Sequence, residues 1–373
     1  MSIARPIWEA RIGGVHAHVP IAWLSGVRRV GKTTIVRRLP GATYLNCDLP
    51  SVADRAADPE RFLATLPGGL LVLDEVHQLA DPSRLLKIAA DERPDLRVVA
   101  TGSSTLAATT KFKDSLSGRK RAVHLLPVLA SELPAFGIAD VNRRLLHGGL
   151  PDALLADRPP ADFYAEWMDS FYARDVQELF RVEKRSAFLR LFETLLRNSG
   201  GLAEATSLSR VAGLSRPTVG NYLDVLEVTH AITVLRPFFG GGKQELTHQP
   251  KIYGFDTGFV AWANGWTELH AADRGLLWEQ LVLETLQATQ ARIHYWRDKQ
   301  QREVDFVVPG ANGSCDAYEC KWNPDAFEAR GLAAFRALYP AGRNFLVAPI
   351  VGEPYERGVG GLVVTVIHPA QIG

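Results

Sequence analysis

Ser25-Gly26-Val27-Arg28-Arg29-Val30-Gly31-Lys32-Thr33-Thr34 decides how this chain must fold. From Gly26 to Thr33 it fits the pattern G-x-x-x-x-G-K-[ST]. Gly26 and Gly31 permit backbone angles closed to residues with a Cβ, so successive N–H groups can turn toward one anion. Lys32 supplies a positive charge within reach of the β- and γ-phosphates of a nucleotide, and Thr33 a hydroxyl for Mg2+. A helix beginning near Lys32 adds the favourable end of its dipole. The expected nucleotide contacts are Gly26, Val27, Arg28, Arg29, Val30, Gly31, Lys32, Thr33 and Thr34. The flanks agree with this reading. Ile21-Ala22-Trp23-Leu24 reads as a strand before the loop, and Ile35 to Leu39 continues a helix that Pro40 and Gly41 stop.

Downstream, Ala42 to Asp48 reads as a second strand, Asp54 to Leu66 as a helix, and Leu70-Leu71-Val72-Leu73 as a buried parallel strand ending in Asp74-Glu75. Two acids at a strand tip beside a phosphate-binding loop have a use. Asp74 would hold Mg2+ through water, and Glu75, as catalytic base, would polarise the attacking water. The plain alternative is an acid pair in solvent. Leu85 to Ala90 reads as a helix, and Arg97 to Ala100 as another strand that runs into Thr101-Gly102-Ser103-Ser104. Ser103 is the first choice for a contact to the γ-phosphate or the attacking water, and Thr101 the second; a polar turn explains either alone. Arg119, just before the strand Ala122 to Leu126, is the candidate to neutralise transition-state charge, in cis or across a subunit interface. A solvated basic turn accounts for it equally well. Alternating strands and helices imply a parallel sheet covered on both faces, with ligand at the strand C-termini.

The combined order G-V-R-R-V-G-K-T-T, L-V-L-D-E-V, A-T-G-S-S and S-G-R, followed by L-L-P-V and S-E-L, resembles a prokaryotic group of AAA+-type P-loop ATPases fused to a C-terminal domain of uncharacterised role. The resemblance extends through Leu146-His147-Gly148-Gly149-Leu150-Pro151 and Phe171-Tyr172-Ala173-Arg174-Asp175-Val176. It implies an ATPase domain over residues 1–135, followed by a helical linker or lid over 136–200. Arg174-Asp175 reads as a structural ion pair, the alternative being a role in positioning nucleotide or a neighbouring subunit.

Ser207 to Leu214, a turn at Gly213, and Ser215 to Leu226 read as two helices, with Ser215 as a cap and Pro217 in the first turn. Ile232 to Leu235, Phe238 to Lys243 and Lys251 to Tyr253 read as a hairpin with a Gly-rich wing. Residues 201–262 thus have a winged helix-turn-helix outline. Arg216, Thr218 and Asn221 would start a recognition helix, and Arg210, Arg236 and Lys243 would meet phosphates. A packing module is the other reading, and Asp224 and Glu227 on the same helix disfavour groove entry.

Over residues 263–373, Glu303-Val304-Asp305-Phe306-Val307-Val308 and, after a turn, Ala317-Tyr318-Glu319-Cys320-Lys321-Trp322 read as adjacent strands. Glu319 and Lys321 stand two apart and share a face. Asp305 joins them from the neighbouring strand, and Glu279 from the preceding helix. The pattern resembles the restriction-endonuclease-like PD-(D/E)XK superfamily, which implies a second Mg2+ or Mn2+ on the three acids, with Lys321 activating water. A solvated strand edge, or an inert module of the same fold, is the alternative.

The fold class expected is α/β: a P-loop parallel-sheet ATPase domain, then a winged helix-turn-helix and a small restriction-endonuclease-like α/β domain. Length and an apolar content of 46% fit two or three globular domains. A net charge of +1 advertises no global field for nucleic acid. Cys47, Cys315 and Cys320 have neither metal-site spacing nor a disulfide framework, which suits a cytoplasmic setting. No run is long enough to span a membrane. Three functions follow as expectations. The first is an ATP-hydrolysing, Mg2+-dependent ATPase that gates a nucleic-acid-related module. The second is an ATP-dependent nuclease on DNA or RNA. The third is a nucleotide-gated switch that binds a protein partner, its tail inert. A homo-oligomer would be needed for an arginine acting in trans.

Overall fold

A computed structural model describes residues 3–102, 114, 116–177, 180, 182, 184–240 and 249–372. They form two compact units. The first holds residues 1–126 together with 170–181 and 228–230; the second holds 127–169, 182–227 and 231–373.

The first unit is built on five strands: β1 (Ile21–Ser25), β2 (Thr43–Asn46), β3 (Gly69–Asp74), β4 (Leu96–Thr101) and β5 (Lys120–His124). They pair in parallel in the order β2-β3-β4-β1-β5. A parallel sheet is covered on both faces, so its inner strands carry unbroken apolar runs. Every residue of β1 is buried, and Trp23, Leu71, Leu73 and Val98 meet Phe62, Leu85 and Leu86 in one core. The register matters for chemistry. Ser25 lies opposite His124, Leu24 opposite Thr101, and Asn46 opposite Asp74. The residues that follow or end these strands therefore emerge along one edge.

The expected helix from Asp54 to Leu66 is two helices, Pro50–Ala56 and Pro59–Ala64. Pro59 cannot donate to the preceding turn, and the Asp58 carboxylate instead caps a new helix by accepting from the Arg61 N–H at 3.2 Å.

In the second unit, helices Ala205–Ala212 and Arg216–Val228 turn at Gly213, which has φ +67°. Ser215 Oγ accepts from the Thr218 N–H at 3.3 Å, the expected cap. Beside them β6 (Gly201–Leu202), β7 (Ile232–Leu235) and β8 (Lys251–Gly254) form an antiparallel sheet in the order β6-β8-β7. One expectation changes. Phe238 does not continue a hairpin with Lys251–Tyr253. Its N–H donates to Tyr295 O at 2.7 Å, and its ring packs against Phe335 and Tyr339. Burying a large aromatic ring outweighs extending a short wing. Lys243 lies outside the described residues.

The remaining strands are β9 (His294–Arg297), β10 (Glu303–Pro309), β11 (Cys315–Cys320), β12 (Asn344–Val347), β13 (Tyr355–Val359) and β14 (Leu362–Ile367). They form one mixed sheet ordered β13-β14-β12-β11-β10-β9. The ladders β9-β10 and β10-β11 are antiparallel; β11-β12 and β12-β14 are parallel. The helix Ala271–Ala288 is tied to this sheet by Trp278 Nε1–H, which donates to Val347 O at 3.0 Å. Among the described residues no helix is long and apolar enough to cross a membrane.

Candidate functional site

The loop after β1 has the backbone its glycines were expected to allow. Gly26 has φ +143° and Gly31 φ +103°. A Cβ on Gly26 would stand 2.6 Å from Leu125 O, so only glycine lets the loop pass this close to the end of β5. Val27 and Val30 anchor the loop in the core. The helix Lys32–Val36 starts at Gly31 and carries Thr33 and Thr34 in its first turn. Lys32 Nζ donates to Gly26 O at 2.8 Å and to Val27 O at 3.2 Å. Burial pushes its amine below the ordinary value, with Glu75, Asp175 and Asp74 pulling the other way. An ammonium held on two carbonyls of the loop is a counter-charge suited to phosphate.

The acids at the end of β3 face the same edge. Asp74 is only 2% exposed, yet both carboxylate oxygens are satisfied. Thr101 Oγ1–H donates to Oδ1 at 2.5 Å, and the Tyr44 hydroxyl to Oδ2 at 2.6 Å. Burial, with Asp74 beside it, pushes the Tyr44 hydroxyl up to about 12, so it stays a donor. Thr101 Oγ1 also accepts from the Glu75 N–H at 2.9 Å. That bond helps hold Glu75 in a left-handed conformation, φ +56°, a strained backbone of the kind found at functional sites. The Glu75 carboxylate lies 3.2 Å from His77 Nδ1. Burial would raise its proton affinity, but the His77 hydrogen bond and the charge of Lys32 outweigh it and leave the net shift downward. Glu75 is thus ionised at neutral pH. The Thr33 hydroxyl, with Asp74 reached through water, would suit Mg2+, a hard ion that takes few protein ligands and completes its shell with water and substrate phosphates.

Ser103 lies outside the described residues. Thr101, the second choice, is the residue that links Asp74 to Glu75. Arg119 is not brought to this edge. Lys120 pairs with Ile21, so Arg119 stands where β5 begins, at the end of the sheet away from the loop. Its guanidinium is forked onto Asp91 at 2.6 and 3.0 Å. The parallel register thus removes the role in cis.

Besides Tyr44 and His77, two histidines were not legible as site residues, and Asp175 was legible only through the alternative reading of Arg174-Asp175. Asp175 sits on a π-helical turn, Tyr172–Gln177, and its Oδ2 lies 3.4 Å from Arg28 Nη1 in the loop. Reading Arg174-Asp175 as a pair missed this, because the partner is 147 residues away. π turns recur at functional sites. His124 ends β5, with Nδ1 3.3 Å from Ser25 Oγ, and its ring stands 3.9 Å from that of His230. Neither histidine belongs to a motif; only the strand register and the return of residues 228–230 to this unit bring them together.

Burial, helped by the charge of Lys32, pushes His230 down to about 4, and burial lowers His124 too, with His230 and Lys32 as further causes. An unfolded histidine titrates near 6.5. The folded state therefore resists protonation that the unfolded state accepts. Stability supplied by the neutral rings is present above about pH 6.5 and is lost as pH falls toward 4. Urea midpoints measured between pH 7.5 and 4.5 should fall, and His230→Gln should flatten the curve by roughly 2–3 kcal/mol at its acid end. An unchanged slope in His230→Gln would remove this histidine from the effect.

In the second unit Asp305, Glu319 and Lys321 do converge. They line a cleft of about 330 Å³ with Arg302, Glu303 and Arg330. Lys321 Nζ is 3.7 Å from Glu319 Oε2 and 4.0 Å from Asp305 Oδ2. The Cys320 N–H donates to Asp305 Oδ2 at 2.8 Å. Burial and the neighbouring Glu279 push Asp305 up to about 6 against the pull of Lys321. Burial and Asp305 raise Glu319 well above the carboxylate range. Glu279 does not complete a metal cage. It is bound by Lys251 Nζ at 3.2 Å and by the Tyr253 hydroxyl at 2.5 Å. Among the described residues, no group of three His, Cys, Asp or Glu side chains is placed to hold a metal ion. The three-acid metal site expected from sequence therefore does not fit this arrangement. On the helix Arg216–Val228, Arg216 and Asn221 are exposed and Thr218 is half-buried.

An AAA domain family matches residues 18–133. Two domains of unknown function match residues 138–270 and 274–359. Uncharacterized proteins of Mycobacterium tuberculosis and Mycobacterium bovis are each 31% identical over 383 residues, covering 96% of this chain and 85% of the relative. Among solved structures, a Walker-type ATPase of Pyrococcus abyssi superposes with a TM-score of 0.45 at 13% identity, over 70% of this chain and 96% of that one. AMPPCP-bound DnaA from Aquifex aeolicus gives 0.30 at 13% identity, over 59% and 86%. The chain belongs to the family of the two mycobacterial proteins, and its N-terminal region is a P-loop ATPase domain of AAA type.

Proposed function

We propose that this chain binds ATP with Mg2+, hydrolyses it through Glu75, and uses the nucleotide state to gate its C-terminal half. The contact between Asp175 and Arg28 carries this reading. Residues 170–181 and 228–230 lie far along the chain, yet belong to the nucleotide-binding unit and put a carboxylate and an imidazole beside the loop. A triphosphate competes with Asp175 for Arg28 and repels the carboxylate. Differential contact of this kind is what biases a two-state element.

We read the C-terminal half as three parts: a helical region over 136–200, a winged helix over 201–262 and an endonuclease-like α/β domain over 263–373. The partner favoured is nucleic acid, supported by exposed Arg216 and Asn221 and by Lys321, Arg302 and Arg330 around the cleft. Cleavage is the second reading. It has Asp305, Glu319 and Lys321 in its favour, but the metal it would need finds Glu279 already committed. In a homo-oligomer, Arg119 would serve only a neighbouring copy's nucleotide.

The test is steady-state ATP hydrolysis with single-stranded DNA, duplex DNA or structured RNA. One of the three is expected to stimulate turnover severalfold. Asp175→Asn should bind nucleotide more tightly, by roughly threefold to tenfold, as loss of a partly buried ion pair implies, and should lose the stimulation. Turnover indifferent to all three in both proteins would replace this reading with a switch that binds a protein partner.

A further inference from the structure

Lys251 opens β8, the middle strand of the three-stranded sheet, and is 5% exposed. A buried ammonium needs acids around it, and here it has them. Nζ lies 3.2 Å from Glu279 Oε1 and is also paired with Glu303. Tyr253 stands two residues further along the same strand, hence on the same face, and its hydroxyl donates to the same Glu279 oxygen at 2.5 Å. Glu303 is held from its other side by Arg297 at 3.4 Å. Asp305 and Glu319 share Lys321. Each acid of the cluster thus has a cation supplied by the chain itself.

We propose that the Lys251 ammonium is the resident cation of the C-terminal acid cluster, so that this domain takes no divalent metal of its own. A hard divalent ion held without substrate phosphates must take its charge compensation from carboxylate oxygens free to turn toward it. Glu279 is engaged twice, and an ion approaching Glu279 or Glu303 would meet an ammonium already seated on both. Burial lowers the Lys251 amine, but Glu279, Glu303 and Asp305 outweigh burial and hold it above its ordinary value. The lysine also accounts for the failure of the sequence pattern here. The spacing Asp305…Glu319-x-Lys321 reports on β10 and β11, whereas Lys251 comes from another sheet. The Mg2+ requirement of the whole chain then resides in the nucleotide-binding unit.

The prediction concerns Mn2+ alone, added to the full-length chain without nucleotide, which withholds the phosphates that an ion in the first unit would share. Free Mn2+ is followed by electron paramagnetic resonance. The wild type is expected to take up no Mn2+ below about millimolar concentration, where adventitious carboxylate pairs begin to bind. Lys251→Met, which keeps length and removes charge, should take up one ion per chain at least about tenfold more tightly. Lys251→Met/Glu279→Gln should lose that gain. A folded Lys251→Met chain with no gain overturns the proposal. Should Lys251→Met fail to fold by circular dichroism, the comparison of wild type with Glu279→Gln decides. Mn2+ uptake by the wild type that Glu279→Gln abolishes overturns the proposal, and absence of uptake by the wild type upholds it.

Discussion

Lys32→Ala is expected to leave ATP affinity at least 10-fold to roughly 150-fold weaker, while Glu75→Gln binds ATP normally and turns it over about 10²–10⁴-fold more slowly. The first figure is the worth of a charge-assisted bond to phosphate, about 1.5–3 kcal/mol. The second is the usual contribution of a positioned general base. The two variants separate because the residues do different things at one sheet edge. Lys32 is a fixed charge over the loop. Glu75 is an ionised carboxylate whose backbone is held by Thr101 and whose side chain is held by His77. Glutamine keeps the shape and can still accept a hydrogen bond, but it cannot take a proton from water. Titration with a fluorescent ATP analogue, read beside phosphate release, separates binding from turnover. Normal phosphate release by both variants would sink the assignment.

The largest stability effect is expected in the second unit, from Arg144→Ala. Arg144 is fully buried. Its guanidinium donates to Val128 O at 2.6 Å and to Thr257 Oγ1 at 2.8 Å, and it forms an ion pair with Glu284. Gly149 packs so closely that a Cβ there would stand 2.6 Å from the guanidinium. Burial pushes Glu284 up to about 7 even with Arg144 beside it. Without the arginine the acid is left buried and uncompensated, at a cost of about 3–5 kcal/mol. Urea unfolding followed by tryptophan fluorescence should show the second unit's transition shifted by that amount. Arg144→Met combined with Glu284→Gln should recover much of the loss, because replacing both partners by neutral groups leaves no orphaned charge. A single variant as stable as wild type would show that the network contributes little.

The elements of the first unit were legible where the chain repeats a local rule. A four-residue apolar run bounded by a loop or acids gives a parallel strand, and β1 and β3 appear where Ile21–Leu24 and Leu70–Leu73 put them. The split at Asp58-Pro59 was legible too, had capping been weighed above helical spacing. Tyr44, His77, His124 and His230 carry no such signal. A tyrosine donating to an acid 30 residues away looks in sequence like any strand tyrosine.

The sequence by itself determined the phosphate-binding loop, the acids that follow β3, and the convergence of Asp305, Glu319 and Lys321. Each of these depends on spacing within one strand or turn, or on two neighbouring strands, where backbone geometry fixes which side chains share a face. The tertiary structure alone decided the rest. Parallel register sent Arg119 to the far end of β5, a π-helical turn delivered Asp175 to Arg28, and β8 supplied Lys251 to an acid cluster on another sheet. Charges act through space, so their partners are set by where the chain returns and not by how far along it they stand.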